Sequence, residues 1–214
     1  MGRMAGCVLA FGAWLAPACL AQQHWELGAV GGFGVVKSVS ATSGAGSADA
    51  GFKAGAALGV FGGQQLYSRL GGEFRYLYRF SDLKLASSGA EVTFSGRSQM
   101  VHYDLLFFTN KPDAPVRPYA AAGGGIKIYD GTGKEAAYQP LSRFAILTKT
   151  RQVMGLASVG GGVRVKVGPR AFLRLEFRDY ITPWPKDVIT PAPGAKISGW
   201  AHDLVPMVGI GVSF

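Results

Sequence analysis

His102 and Asp104 stand two positions apart, so in an extended segment their side chains share a face and the carboxylate can orient the imidazole. That pair is most of a Ser–His–Asp acyl-transfer arrangement, which also needs a serine at the same depth and open to substrate. Ser98 and Ser158 are the candidates, and nothing in the sequence fixes either beside His102. No His-x-Ser pairing of the kind expected in a lipid-hydrolysing barrel occurs, so His102 reads as a structural residue. His202-Asp203 falls where a loop enters the last extended run and reads as an interface position. The three histidines, His24, His102 and His202, are scattered, and no metal site is expected. Gly31-Gly32-Phe33-Gly34 and Gly123-Gly124-Gly125 resemble phosphate loops only superficially, because no helix pattern follows either.

A denser set of chemistry-bearing residues is ionic. Glu73, Arg75 and Arg79 lie in phase in one run, Asp104 lies in a second, Arg164 in a third, and Arg174, Glu176 and Arg178 in a fourth. Buried singly, such ions cost several kcal/mol each, but paired and hydrogen-bonded they can fill a narrow space.

The elements that must position them repeat every second residue, which excludes a helical reading. Trp25, Leu27, Ala29, Phe33 and Val35 oppose His24, Glu26 and glycines; Phe52, Ala54, Ala56, Leu58 and Val60 oppose Lys53, Gly55, Ala57 and Gly59. Leu70, Phe74, Tyr76, Tyr78 and Phe80 oppose Glu73, Arg75, Leu77 and Arg79; Val101, Tyr103, Leu105 and Phe107 oppose His102, Asp104, Leu106 and Phe108. Ala120, Ala122, Ile126 and Ile128 oppose Tyr119, Gly123, Lys127 and Tyr129; Val159, Val163, Val165 and Val167 oppose Ser158, Gly160, Gly162, Arg164 and Lys166. Leu173, Leu175 and Phe177 oppose Arg174, Glu176, Arg178 and Tyr180; Leu204 to Phe214 in steps of two oppose Met207, Gly209, Gly211 and Ser213. Between these eight runs, long polar connections (37–50, 81–97, 131–150, 182–199) alternate with short turns near Gly62–Gln65, Asn110–Val116 and Gly168–Arg170. Long-short alternation over an even number of strands is the signature of an up-and-down barrel in an outer membrane, with both chain ends on the periplasmic side.

Composition agrees. The chain of 214 residues has a net charge of +9, yet only 16% of its residues are charged and 48% are hydrophobic, which excludes disorder. Thirty-two glycines fit poorly with helices and lack the period of collagen. The direction of the two faces follows from size. An eight-stranded barrel has an interior just wide enough for side chains, which suits the face of glycines and ion pairs. The bulky face, with Trp25, Tyr76, Tyr78, Phe80, Tyr103, Phe107 and Phe214 toward strand ends, suits lipid. A soluble lipocalin-like barrel would reverse the two faces.

Residues 1–21 have a short basic head, an apolar core too brief to span a membrane, and a small-residue end, the pattern of a signal peptide cleaved after Ala21. Residues 22–214 are then the barrel domain, with 21 cations, 13 anions and a charge of +8. Both cysteines, Cys7 and Cys19, lie in the leader, so the barrel has no disulfide; lipidation of Cys19 is a weaker alternative, since Ala16-Pro17-Ala18 is a poor lipoprotein signal.

Val116-Arg-Pro-Tyr-Ala-Ala-Ala-Gly-Gly-Gly-Ile, Phe172-Leu-Arg-Leu-Glu-Phe-Arg-Asp-Tyr and the terminal Met207-Val-Gly-Ile-Gly-Val-Ser-Phe resemble the OmpA/OmpX-like family of small outer-membrane barrels, over essentially all of 22–214. The resemblance implies an all-β, eight-stranded antiparallel transmembrane barrel, monomeric and inserted in a Gram-negative outer membrane. It implies that Phe214 is the end signal read by the barrel-assembly machinery. Some relatives carry a peptidoglycan-binding domain after the barrel; the chain stops at Phe214, so no tether is expected.

The expected role is structural or surface-interacting and non-enzymatic, with no cofactor and no nucleic acid as partner. The alternatives are a narrow channel, a lipid-modifying hydrolase and a secreted ligand-binding barrel. Lys84, Lys134, Lys149, Arg151, Lys186 and Lys196, in or beside the long loops, suit lipopolysaccharide phosphates. Pro183-Trp184-Pro185, with Pro191 and Pro193, forms a stiff aromatic segment suited to contact with a host or neighbouring protein.

Overall fold

The computed structural model describes residues 25–44, 46–135 and 138–214. The proposed leader, Cys7, Cys19 and His24 lie outside the described residues. Strands in chain order are β1 (Trp25–Val36), β2 (Val39–Ser43), β3 (Gly46–Phe52), β4 (Gly55–Tyr67), β5 (Leu70–Phe80), β6 (Leu83–Ser87), β7 (Ala90–Phe94), β8 (Gly96–Phe108), β9 (Val116–Gly131), β10 (Ala145–Leu147), β11 (Arg151–Lys166), β12 (Ala171–Pro183), β13 (Ile189–Pro191), β14 (Lys196–Ile197) and β15 (Trp200–Ser213). Eight of them close an antiparallel barrel in the order β1-β15-β12-β11-β9-β8-β5-β4. Trp25 and Phe214 exchange both backbone hydrogen bonds at 3.0 Å, which closes the barrel where its two ends meet. Closure leaves no unpaired edge, the condition for a sheet in hydrocarbon. Pro206 has no N–H to give, and the β1–β15 ladder runs to Gly32↔Met207 and resumes only at Val35↔Leu204.

Period-two alternation assigns the faces. Leu27, Leu58, Phe74, Leu175, Val208 and Ile210 are exposed on the outer wall, while Glu73, Arg75, Arg79, Arg174 and Arg178 are buried inside. The bulky face therefore points out and the ionic face in. Trp25, Phe107 and Phe214 ring one rim and Phe80 the other, whereas Tyr76 and Tyr103, expected near strand ends, sit in the middle of β5 and β8.

Inward glycines make room for charged side chains. A Cβ at Gly160 would press on the Arg178 side chain, and one at Gly123 on Asp104. Each glycine stands directly across the ladder from the residue it accommodates.

The short turns lie at 68–69, 109–115 and 167–170. The segment Gly62–Gln65, expected as a turn, instead continues β4, with Gly63 paired to Glu73 and Gln64 to Gly72. The ladder runs on through Gln65, and its register shifts only between Gln65 and Tyr67, next to the actual turn.

The long connections differ more. They are not loose polar loops. β14, β2, β3, β6 and β7 form a five-stranded sheet, and β10 pairs β13. Ser88 and Gly89, at φ 50° and 83°, supply the left-handed pair that a two-residue hairpin turn between β6 and β7 requires. Phe52, Leu83, Leu85, Phe144, Trp184 and Ile189 are buried together in a hydrophobic core of this cap. Two expectations are corrected by it. Phe52 ends β3 and is buried, stacked 5.1 Å from Tyr129, so it is not on the outer wall. Trp184 packs 5.9 Å from Phe52 and is likewise buried, so it is not displayed to a partner. An aromatic flanked by prolines serves here as the anchor of a loop core, because burying it removes a large apolar area from water.

Candidate functional site

The barrel axis carries the candidate site. Every second residue of each strand reaches it, and three levels can be distinguished between the cap and the turn end.

Beneath the cap, Asp203 Oδ2 receives Lys127 Nζ at 2.6 Å and Arg79 Nη1 at 2.7 Å. Arg79 Nη2 also donates to the carbonyls of Gly34 at 2.7 Å and Lys53 at 3.3 Å. Asp203 is thus an interior residue and not the interface position expected of it. Its neighbour His202 points the other way and meets Asp179 at 2.8 Å. Tyr129 roofs this level, 4.8 Å from the Lys127 ammonium and hydrogen-bonded to Thr182 at 2.8 Å.

The middle level is a mesh. Arg75 donates to Glu73 Oε1 at 2.7 Å and to Glu176 Oε2 at 3.1 Å, and its Nη1 lies 2.7 Å from Glu176 Oε1 as a close ion pair. Arg174 donates to the other Glu73 oxygen. Arg178 donates to Asp104 at 2.8 Å and reaches Glu176 at 3.4 Å. Tyr119 adds a hydroxyl donor to Glu176 at 2.8 Å. Phe61 lies beneath Arg174 (4.4 Å to the ring centre) and near Arg75 (5.6 Å), which stabilises the charge of these buried guanidiniums.

At the turn end, Arg164 pairs with Glu26 and lies 3.9 Å over Phe172. Arg117 lies 3.8 Å over Phe108, and both its terminal nitrogens share the single oxygen of Gln65 at 3.2 Å.

The structure thus brings Glu73, Arg75, Arg174, Glu176, Arg178 and Asp104 into one network, places Arg79 in a second cluster above it and Arg164 in a third below. Glu26, Arg117, Lys127 and Asp203 belong to the same interior and were not assigned to the ionic network from the sequence. The alternation carries the signal for all four. Arg117 and Lys127 are in phase with Tyr119, and Asp203 is in phase with Met207 and Gly209. Seven interior cations (Arg75, Arg79, Arg117, Lys127, Arg164, Arg174, Arg178) face five carboxylates (Glu26, Glu73, Asp104, Glu176, Asp203) among the described residues.

His102 Nδ1 lies 3.2 Å from Asp104, but both side chains are wholly buried and the ring packs edge-on to Tyr180 at 5.2 Å. Ser98 is 3.5 Å from Ser81, and Ser158 is buried with no hydrogen-bond partner among the described residues. An acyl-transfer site needs a path for substrate, and this group lies inside the packed axis. No cluster of His, Cys, Asp or Glu among the described residues could hold a metal ion.

On the cap, Lys84 bonds Glu91 at 2.8 Å, and that hydrogen bond holds the Glu91 carboxyl below its usual range. The contact is present at neutral pH and is lost as acid titrates the carboxylate through its lowered range. Arg151 and Arg97 both engage Asp130, at 3.1 Å and 3.0 Å. Phe214 is exposed on the outer wall at the turn-end rim.

Comparison with known proteins places this geometry. The outer membrane protein beta-barrel domain profile matches residues 7–188. Neisserial surface protein A is similar in structure, with a TM-score of 0.54 at 13% identity over 89% of this chain and 97% of that one. The outer membrane protein OprG of Pseudomonas aeruginosa gives a TM-score of 0.51 at 12% identity over 88% and 95%. A search of curated protein sequences returned no significant match.

Proposed function

The chain belongs to the outer membrane protein beta-barrel domain family, and from that premise we propose that this outer-membrane barrel is a monomeric, non-conducting, non-enzymatic protein that presents its cap for surface contacts. The observation that carries the reading is the filled axis. Arg75, Leu77, Met100, Arg178 and Tyr180 are buried in the centre of the barrel with essentially no exposed surface. Opening a water path would strip arginines and carboxylates of their partners at several kcal/mol per ion. Seven of the eight barrel strands, at 12 to 16 residues, exceed the roughly 9–11 needed to cross a bilayer, so the wall projects beyond it and carries the cap clear of the membrane.

Planar bilayers test the reading directly. The purified protein is expected to give no stable single-channel steps at neutral pH; reproducible steps would overturn the closed axis.

Two partners follow. Phe214, outward at the rim, is the residue offered to the barrel-assembly machinery. Lys134, Lys149, Lys186 and Lys196 are exposed on the long connections and suit the phosphates of lipopolysaccharide, whereas Lys84 and Arg151 already have carboxylate partners. The urea midpoint should therefore rise when lipopolysaccharide is added to phospholipid bilayers, and this rise should shrink with salt. An equal midpoint in both bilayers removes the lipopolysaccharide contact.

A further inference from the structure

The turn end of the barrel opens into a vestibule of about 340 Å³ whose lining includes Arg117, Arg164, Lys166 and Arg170, with Glu26 and Asp113 as carboxylates. Four cationic side chains face two acidic ones, and the terminal Phe214 also lines the space, so cations outnumber anions around it. The excess is built into the sheet. Arg117 stands directly across the ladder from Arg164, and Arg164 directly across from Arg174. Three guanidinium-bearing residues thus sit side by side on adjacent strands, an arrangement that repels itself unless anions intervene. Arg164 has Glu26, and Arg174 has Glu73. Arg117 has no carboxylate within ion-pair distance among the described residues. It is only 2% exposed, its terminal nitrogens share one neutral amide oxygen, and its Nε has no hydrogen-bond partner. A buried, under-satisfied guanidinium on the wall of a solvent-reachable cavity is a receptor for an oxyanion, because its planar fork of donors matches two oxygens at once.

We infer that this vestibule is an anion site that takes a phosphate or phosphomonoester group, held by Arg117 and Arg164 and flanked by Lys166 and Arg170. A phosphate offers two or more oxygens and more negative charge to this cation-rich wall than a monovalent carboxylate does. Aromatic faces at Phe108 and Phe172 hold the two guanidinium planes in place before a ligand arrives. The site is independent of the closed axis above it, since it is reached from the turn end.

Calorimetric titration of the folded protein in a neutral detergent at low salt tests this with inorganic phosphate as the probe. Saturable binding is expected, weaker for acetate than for phosphate. Arg117→Gln should weaken phosphate by about tenfold or more, the scale of a lost hydrogen bond to a charged group. Asp113→Asn removes a like charge from the wall and should tighten it. Arg170→Gln, on the exposed turn, should weaken binding without touching the interior, which keeps the test decisive even where Arg117→Gln misfolds. Glycerol 1-phosphate and a short-chain phosphatidic acid then distinguish a soluble phosphomonoester from a lipid headgroup: equal affinity marks the soluble source, and tightening by acyl chains marks the lipid. Absence of saturable phosphate binding, or binding that ignores both Arg117→Gln and Arg170→Gln, overturns the site.

Discussion

Replacing Glu176 by alanine should lower the unfolding free energy by about 3–5 kcal/mol, the cost of leaving buried charge without its partner. Glu176 is where three donors converge: Arg75, Arg178 and the Tyr119 hydroxyl all point at its carboxylate. Among carboxylates, Arg75 is then hydrogen-bonded to Glu73 alone, which it shares with Arg174, and Arg178 to Asp104 alone, so three guanidiniums face two carboxylates. Urea unfolding from phospholipid vesicles, followed by tryptophan fluorescence and by the shift on unboiled gels, reads the effect. Glu176→Gln keeps the volume and one acceptor oxygen and should fall between wild type and alanine. A pair change, Arg75→Met with Glu176→Leu, should cost less than Glu176→Ala alone, since it removes both charges together. An unchanged midpoint for Glu176→Ala would remove the carboxylate from the role given to it.

Asp203→Ala should cost at least as much, and it should do something further to the cap. Asp203 alone among the described carboxylates meets both Arg79 and Lys127, so one substitution leaves two buried cations facing each other. Relief comes most directly by moving Lys127 or Arg79 toward water, and the cap stands in that direction. Arg79 also holds the carbonyls of Gly34 and Lys53, on either side of the β2–β3 hairpin. The expected result is therefore a lower urea midpoint together with faster protease cleavage at the cap residues Lys186 and Lys196, the barrel itself still migrating as folded. Asp203→Glu, keeping the charge, should restore the midpoint in part. Cleavage at wild-type rate with a lowered midpoint would separate the cap from the charge cluster beneath it.

These two carboxylates differ in how readily the sequence discloses them. Glu176 stands between Arg174 and Arg178 in a strand of strict alternation, and its side of the sheet follows from period two alone. Asp203 obeys the same alternation, in phase with Val205, Met207 and Gly209, yet it follows a long polar connection that hides where the strand begins. Arg117 is concealed for a related reason: Pro118 beside it looks like the end of a turn, although β9 already runs from Val116. The cap was the least legible part. Its strands are two to seven residues long and small-residue rich, and they pair across large separations, such as Ile197 with Ala41 and Leu85 with Ala50. Short segments of this kind show no period of their own, and only packing around Phe52 and Trp184 selects their register.

The sequence by itself determined the eight long strands, the closed antiparallel wall and the outward direction of its bulky face, because side chains alternate at every residue and only one face is small and polar enough to fit inside. The tertiary structure decided depth and partnership. Which carboxylate meets which arginine depends on the stagger between neighbouring strands as the sheet closes. Alternation says nothing about that stagger, and a shift of two residues along any strand would keep every face while exchanging the ion pairs that strand makes with others; only pairs within one strand, such as Glu73–Arg75, would survive.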